Sequence, residues 1–134
     1  MADVVVDTNV VSYLFKKDTR ALRYQRHLAG RRWLISFMTA AEIDLWALRH
    51  HWGTARKLQM ENHLHRFVLY PFARRLCLFW AEATDSARRK GKPIQVADAW
   101  IAATALLTGA PLVTHNPADY AGVDGLIVLS ETSP

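Results

Sequence analysis

Short apolar runs alternate with longer stretches of helical periodicity along this chain, and that alternation constrains the fold before any single residue is considered. Val4-Val5-Val6 is a β-branched run ending at Asp7, and Trp33-Leu34-Ile35-Ser36-Phe37, Val68-Leu69-Tyr70, Leu112-Val113-Thr114 and Leu126-Ile127-Val128-Leu129 repeat the strand signal. Between them, Val10, Val11, Leu14 and Phe15 recur at helical spacing across Asn9 to Phe15. Further helices are predicted over 20–29, from Thr39 to near Gly53, over roughly 54–66, over 73–90, and from about Val96 to Leu107 before Gly109. Strands separated by helices call for a mainly parallel sheet of about five strands covered on both faces, a three-layer α/β/α sandwich with right-handed crossovers. No linker or repeat divides the chain, so residues 1–134 are expected to form one domain, with Ser130 to Pro134 as a short loose tail.

The chain's 134 residues, 51% of them hydrophobic, suffice for one buried core. Neither a signal peptide nor a membrane-length apolar run is present, which predicts a soluble, cytoplasmic protein with no membrane partner. Cys77 stands alone among Leu76, Leu78 and Phe79 and is expected to be a buried structural thiol in a reducing compartment. Charge is split along the chain: residues 1–92 carry a balance of +9, while 93–134 hold four acids and no lysine or arginine, leaving +5 in total. A basic protein of this kind is drawn to polyanions, and charge alone does not distinguish RNA from DNA.

In doubly covered parallel sheets, function collects beyond the carboxyl ends of the strands. Asp7 ends the first strand, Glu42 follows the second, Asp98 opens the helix before the fourth, and Asn116 and Asp119 lie just past the fourth. Three or four carboxylates on one rim would suit a hard divalent cation, which takes oxygen ligands and needs only one or two protein carboxylates per ion. Such a site is the working part of metal-dependent nucleases. Purely structural roles compete. Thr39-Ala40-Ala41-Glu42 matches a capping box, and Asp7 could cap the first helix. Asp98 is harder to explain that way, because it is the only charge in the apolar stretch Val96 to Ala103, where an unpaired carboxylate is costly.

Four segments in register carry a family resemblance: Asp7-Thr8-Asn9, Thr39 to Ile43, Asp98 to Ala105, and Leu112 to Tyr120. Together they resemble the PIN-domain ribonucleases, and among these the VapC-type toxins of bacterial toxin–antitoxin pairs. The resemblance implies a Mg²⁺- or Mn²⁺-dependent endoribonuclease with RNA as substrate, a cognate antitoxin as inhibitor, and commonly a homodimer. By position it implies that Asp7, Glu42 and Asp98 are metal-binding acids, with Asn116 or Asp119 in the fourth place and Thr8 and Thr114 as supporting hydroxyls. Catalytic roles are implied for Asp7, Glu42, Asp98 and Asp119, with a metal-activated water attacking the RNA phosphate. This chain departs from the pattern at Asn116, where many relatives carry an acid, and at Tyr120, where a Phe is usual.

Other features point less directly to function. His50-His51 and His63-x-His65 lie on predicted helices at spacings that send neighbours to different faces, which argues against zinc. His115 lies beside the expected pocket and is read as either a substrate contact or a surface residue. The tryptophans Trp33, Trp46, Trp52, Trp80 and Trp100 are expected mostly in cores or interfaces. An apolar stripe through Leu45, Trp46, Leu48 and Trp52 could receive an antitoxin helix, although core packing accounts for most of it. The pairs Arg31-Arg32, Arg56-Lys57 and Arg74-Arg75 and the run Arg88-Arg89-Lys90 could follow a phosphate backbone. Of the rival classes, a receiver-like phosphoryl-transfer domain lacks its late lysine, and a dehalogenase-like phosphatase lacks the second acid, replaced by Asn9. A non-catalytic PIN-like binding module is the remaining alternative.

Overall fold

The computed structural model describes residues 2–132 and contains one five-stranded sheet. Its strands are β1 (Asp3–Val6), β2 (Arg32–Ser36), β3 (Val68–Tyr70), β4 (Leu112–Val113) and β5 (Val128–Leu129), in the spatial order β3-β2-β1-β4-β5. Every pairing is parallel. The helices are α1 (Thr8–Lys16), α2 (Thr19–Leu22), α3 (Gln25–Leu28), α4 (Phe37–Arg49), α5 (Thr54–Leu64), α6 (Arg74–Arg89) and α7 (Val96–Thr108), and a 3-10 turn spans Pro117–Tyr120.

Alternation along the strands sorts their side chains between two cores. Val4, Val6, Ile35 and Val113 join Val10, Val11, Tyr24, Leu28, Ile43 and Met60 on one face of the sheet. Val5, Leu34 and Leu112 point the opposite way and pack with Ala83, Ile101, Ala102 and Ala105. The period-2 pleat thus gives α1 to α5 one face and α6 and α7 the other, the three-layer arrangement predicted.

Several boundaries differ from the sequence reading. The helix expected over 20–29 is two short pieces, α2 and α3, separated at Arg23 and Tyr24. The fully buried Tyr24 ring puts its hydroxyl 2.6 Å from His115 Nδ1 and 3.3 Å from the Thr114 carbonyl. α4 starts at Phe37 rather than Thr39, because the Ser36 hydroxyl accepts the Met38 N–H at 3.0 Å and caps the helix as soon as the strand ends. Cys77 is half-buried rather than buried, on the outer side of α6. Of the expected loose tail, residues 133–134 lie outside the described residues; Glu131 accepts from Arg26 and its carboxylate lies 2.6 Å from His27 Nε2. Among the described residues no helix is long and apolar enough to cross a membrane.

Candidate active site

The parallel order brings the carboxyl ends of β1 and β4 side by side, and the residues just beyond those two ends build the site. The Asp7 N–H donates to the Val113 carbonyl at 2.9 Å, while the Asp7 carbonyl accepts from Val10 and Val11 at 3.0 and 3.1 Å. The central strand therefore passes into α1 with no intervening loop, and Asp7 stands at the junction as its N-cap. Its carboxylate is almost wholly buried. Oδ1 accepts the Thr8 N–H at 2.8 Å and Oδ2 accepts the Thr114 hydroxyl at 2.7 Å. Thr114 Oγ1 in turn accepts the Asn116 N–H at 3.0 Å, which ties the loop after β4 to the same acid.

Glu42 does not close the capping box that competed with its functional reading. Thr39 lies inside α4, fully buried, and the Glu42 Oε1 oxygen is 2.8 Å from the Thr8 hydroxyl, which is also 3.0 Å from Thr39 Oγ1. With one proton to give, Thr8 donates to the carboxylate and accepts from Thr39. Glu42 is thereby fixed to the first residue of α1, whose backbone N–H is held by Asp7.

Asp98 enters from the first turn of α7. The hydroxyl of Tyr120, a fully buried phenol on the 3-10 turn, donates to Asp98 Oδ1 at 3.4 Å and also lies against Asp7. The charge of Asp7 is felt at Asp98, which makes the two acids neighbours. Asp119 is exposed on the outer side of the same turn, and its charge is felt at Asp98. Asn116 is exposed and contributes its backbone N–H to Thr114.

The electrostatics show how tightly the acids are gathered. Burial pushes the Asp7 carboxyl above its ordinary value, against the hydrogen bonds from Thr114, Thr8 and Tyr120 and with the help of repulsion from Glu42. Asp98 is pushed up to about 6, first by burial and then by Asp7, Asp119 and Glu42. Burial and the charges of Asp7 and Asp98 raise Tyr120 far above the phenol range, so it remains a donor. Among the described residues, none of these four acids has a lysine, arginine or histidine within ion-pair distance. No three His, Cys, Asp or Glu side chains among the described residues already stand together as a ligand set. The close pair is Asp7 and Asp98, with Glu42 linked through Thr8 and Asp119 on the rim. An all-oxygen set of mutually repelling carboxylates, graded from buried Asp7 to exposed Asp119 and without counter-charge, fits a hard divalent cation that retains several waters.

Three contributors were not singled out by their sequence pattern. Ser36 and Thr39 act through a cap and a hydroxyl link, and Tyr120 drew notice only as a change from Phe. His115 is half-buried: its backbone N–H donates to Asn9 Oδ1 at 3.3 Å and its ring stands edge-on to Tyr13 and Tyr24.

Known proteins resemble this chain in sequence and fold. The PIN domain family model matches residues 4–126. The chain is 32% identical over 132 residues to the VapC ribonuclease Y4jK of Sinorhizobium fredii, covering 90% of this chain and 94% of that protein. It is 29% identical over 126 residues to ribonuclease VapC1 of Haemophilus influenzae, covering 91% and 92%. The solved structure of VapBC-1 from nontypeable Haemophilus influenzae superposes with a TM-score of 0.82 at 26% identity, over 96% of this chain and 97% of that one. With the family model spanning nearly the whole sheet and both core layers, this chain belongs to the PIN-domain family, in its VapC branch.

Proposed function

We propose that the protein is a metal-dependent endoribonuclease, the toxin of a toxin–antitoxin pair, acting in the cytoplasm and silenced by a cognate antitoxin. The carrying observation is that Asp98 feels the charges of Asp7, Asp119 and Glu42 together, while among the described residues none of the four is within ion-pair distance of a cation. The relatives named ribonuclease VapC support RNA as the substrate, and the VapBC-1 assembly supports a protein inhibitor. A basic net charge of +5 favours a polyanionic substrate.

In this reading Asp7, Glu42 and Asp98 would hold a Mg²⁺ or Mn²⁺ ion, with Asp119 as the candidate for the fourth place and Asn116 the weaker one because it brings no charge. When bound, the ion supplies an activated water and charge neutralisation at the phosphate. Thr114 and Thr8 orient Asp7 and Glu42 by the hydrogen bonds at 2.7 and 2.8 Å. Tyr120 holds Asp98 beside Asp7 without bringing a positive charge that would compete with the ion. A homodimer belongs to the same reading, and the exposed Leu78 and Phe72 supply apolar surface for it.

Purified protein incubated with RNA is expected to cut it with Mg²⁺ or Mn²⁺ and to leave it whole in EDTA. Asp7→Asn and Asp98→Asn are each expected to lower the rate at least about 100-fold, the scale on which one electrostatic contributor acts. RNA left intact by the wild-type protein in both metals sinks the proposal and favours the non-catalytic binding module.

A further inference from the structure

Helix α5 presents two unlike flanks. Toward α4 it closes an apolar groove of about 260 Å³ lined by residues such as Ile43, Leu48 and Trp52, with the acids Asp44 and Glu61 at its edge. Toward the end of α1 it closes a cleft of about 640 Å³ with Lys16 and Lys17 on one wall and Arg56, Gln59, Asn62 and Arg66 on the other. Among the described residues no acid lines this second cleft.

Its cations are held in an uncommon way. Among the described residues none of the four is within ion-pair distance of a carboxylate, which by itself they share with other basic residues such as Arg23, Arg74 and Lys92. Three of the four stand on aromatic rings instead. Lys16 Nζ is 4.4 Å from the Trp46 ring centre, the Arg56 guanidinium is 4.6 Å from Trp52 and 5.2 Å from Phe15, and the Arg66 guanidinium is 5.1 Å from Trp33. A cation resting on a ring is positioned without being neutralised, so its charge and N–H groups stay available to an incoming anion. Gln59 and Asn62 add neutral donors between them.

Position links the cleft to the acidic rim. Thr8, which touches Glu42, opens α1, and Lys16 closes it; eight residues of helix separate them by about 12 Å. A phosphodiester chain crossing a rim of four carboxylates is repelled there and must be held by cations to one side. We propose that the α1–α5 cleft is a binding site for the backbone of single-stranded RNA, gripping the strand that flanks the scissile linkage. This inference rests on the ribonuclease reading for its ligand. An acidic protein segment is the lesser fit, because the apolar area that anchors a peptide helix lies on the opposite flank of α5.

The test separates the two readings. Fluorescence anisotropy of a labelled oligouridine of about twelve nucleotides, recorded in EDTA across a KCl series, reports binding without cleavage. The pairs Lys16→Gln/Lys17→Gln and Arg56→Gln/Arg66→Gln lie on different helices, so loss of folding in one leaves the other to report, with thermal melting as the control. Each pair is expected to weaken binding about tenfold near 0.1 M salt, and to flatten the plot of log affinity against log salt by about 0.7 for every phosphate that is no longer neutralised. Arg89→Gln, on the other face of the sheet, is expected to bind like wild type. With Mg²⁺, each pair is expected to raise KM for the long oligomer with kcat held, and to leave cleavage of a dinucleotide unchanged. Folded pairs that bind RNA with wild-type affinity and salt slope overturn the cleft, as does an equal loss in Arg89→Gln, which would mean diffuse net charge. Polyglutamate binding that the pairs abolish while RNA binding stands would reassign the cleft to an acidic protein. Because anisotropy in EDTA judges the cleft and cleavage judges the nuclease, either can fail without the other.

Discussion

The two faces of the sheet are packed on opposite plans. Beneath α7 the contacts are made by Ala99, Ala102, Ala103 and Ala105, all essentially without exposure, and α6 adds Ala83 and Ala87. Under α1 to α5 an aliphatic interior is joined by rings: Tyr24 and Phe67 inside, with Trp33, Trp46, Trp52 and Phe15 packed against the cluster. Small residues let a long helix lie close and straight, which is how α7 delivers Asp98 to the rim at a set height. Large rings join many short helices into one layer and leave cations poised over their outer edges. The alanine face positions one acid, and the aromatic face builds surface.

The contrast predicts opposite responses to changes of volume. Tyr24→Ala removes a fully buried ring whose hydroxyl also accepts the Glu131 N–H, and is expected to destabilise by about 3–5 kcal/mol. Chemical denaturation reads this; a loss below about 1 kcal/mol means that the aromatic layer collapses readily and needs no anchor. On the other face, addition is the damaging change. A Cβ on Gly122 would stand 2.8 Å from Ala87 Cα and 2.9 Å from the Lys92 carbonyl, so both neighbours are backbone. Gly122→Ala and Ala102→Leu are each expected to cost about 1–3 kcal/mol, while the same enlargement at exposed Ala41 costs little. Equal tolerance at Ala102 and Ala41 would break the account of a closely approached helix.

The same contrast explains what could be read from the chain. Val4-Val5-Val6 announced its strand because all three residues are buried and sort to both cores, and the polar residue closing it had to lie at the sheet's end. Asp98 was conspicuous because alanines surround it. The break between α2 and α3 was hidden, since it arises from the demand of Tyr24 for a partner ninety positions away in Thr114. Phe37 read as strand because its apolar character outweighs Ser36, whose capping role depends on where the sheet ends. The Thr8–Thr39–Glu42 link spans more than thirty positions, and a phenol reaching an acid twenty-two positions away has no periodic signature. Local patterns disclose the acids; the hydroxyls that hold them become visible only when distant segments meet.

Acid sharpens the comparison, because a displaced group on one face, His63, and a displaced group on the other, Asp98, act on stability with opposite signs. On the aromatic face His63 is buried with Nε2 3.1 Å from the Val11 carbonyl, and burial lowers its pKa below 6.5. The folded state resists its protonation, so its contribution is present above about 6.5 and is lost as pH falls through the lowered value. His63→Gln, which keeps a donor for Val11, is expected to flatten the decline in melting temperature between about pH 7 and 5. A decline unchanged in slope would place the acid sensitivity elsewhere.

Asp98 gives the smaller effect and the opposite slope. Its carboxyl is held up to about 6 by burial and by Asp7, Asp119 and Glu42, so the folded state binds this proton more tightly than the unfolded chain does. That advantage is complete below the ordinary value of 3.8 and disappears as pH rises through about 6. At pH 8 the wild type therefore carries a repulsion that Asp98→Asn lacks. Discounted for the half-exposure of the side chain, the variant is expected to gain about 1 kcal/mol, or roughly 4 °C in Tm, at pH 8 and to lose the gain by about pH 4. Mg²⁺ should then raise the melting temperature of the wild type more than that of the variant, since a ligand stabilises the state that binds it. A gain of equal size at pH 8 and pH 4, untouched by Mg²⁺, means that the amide merely packs better and that no strained charge awaits an ion at this position.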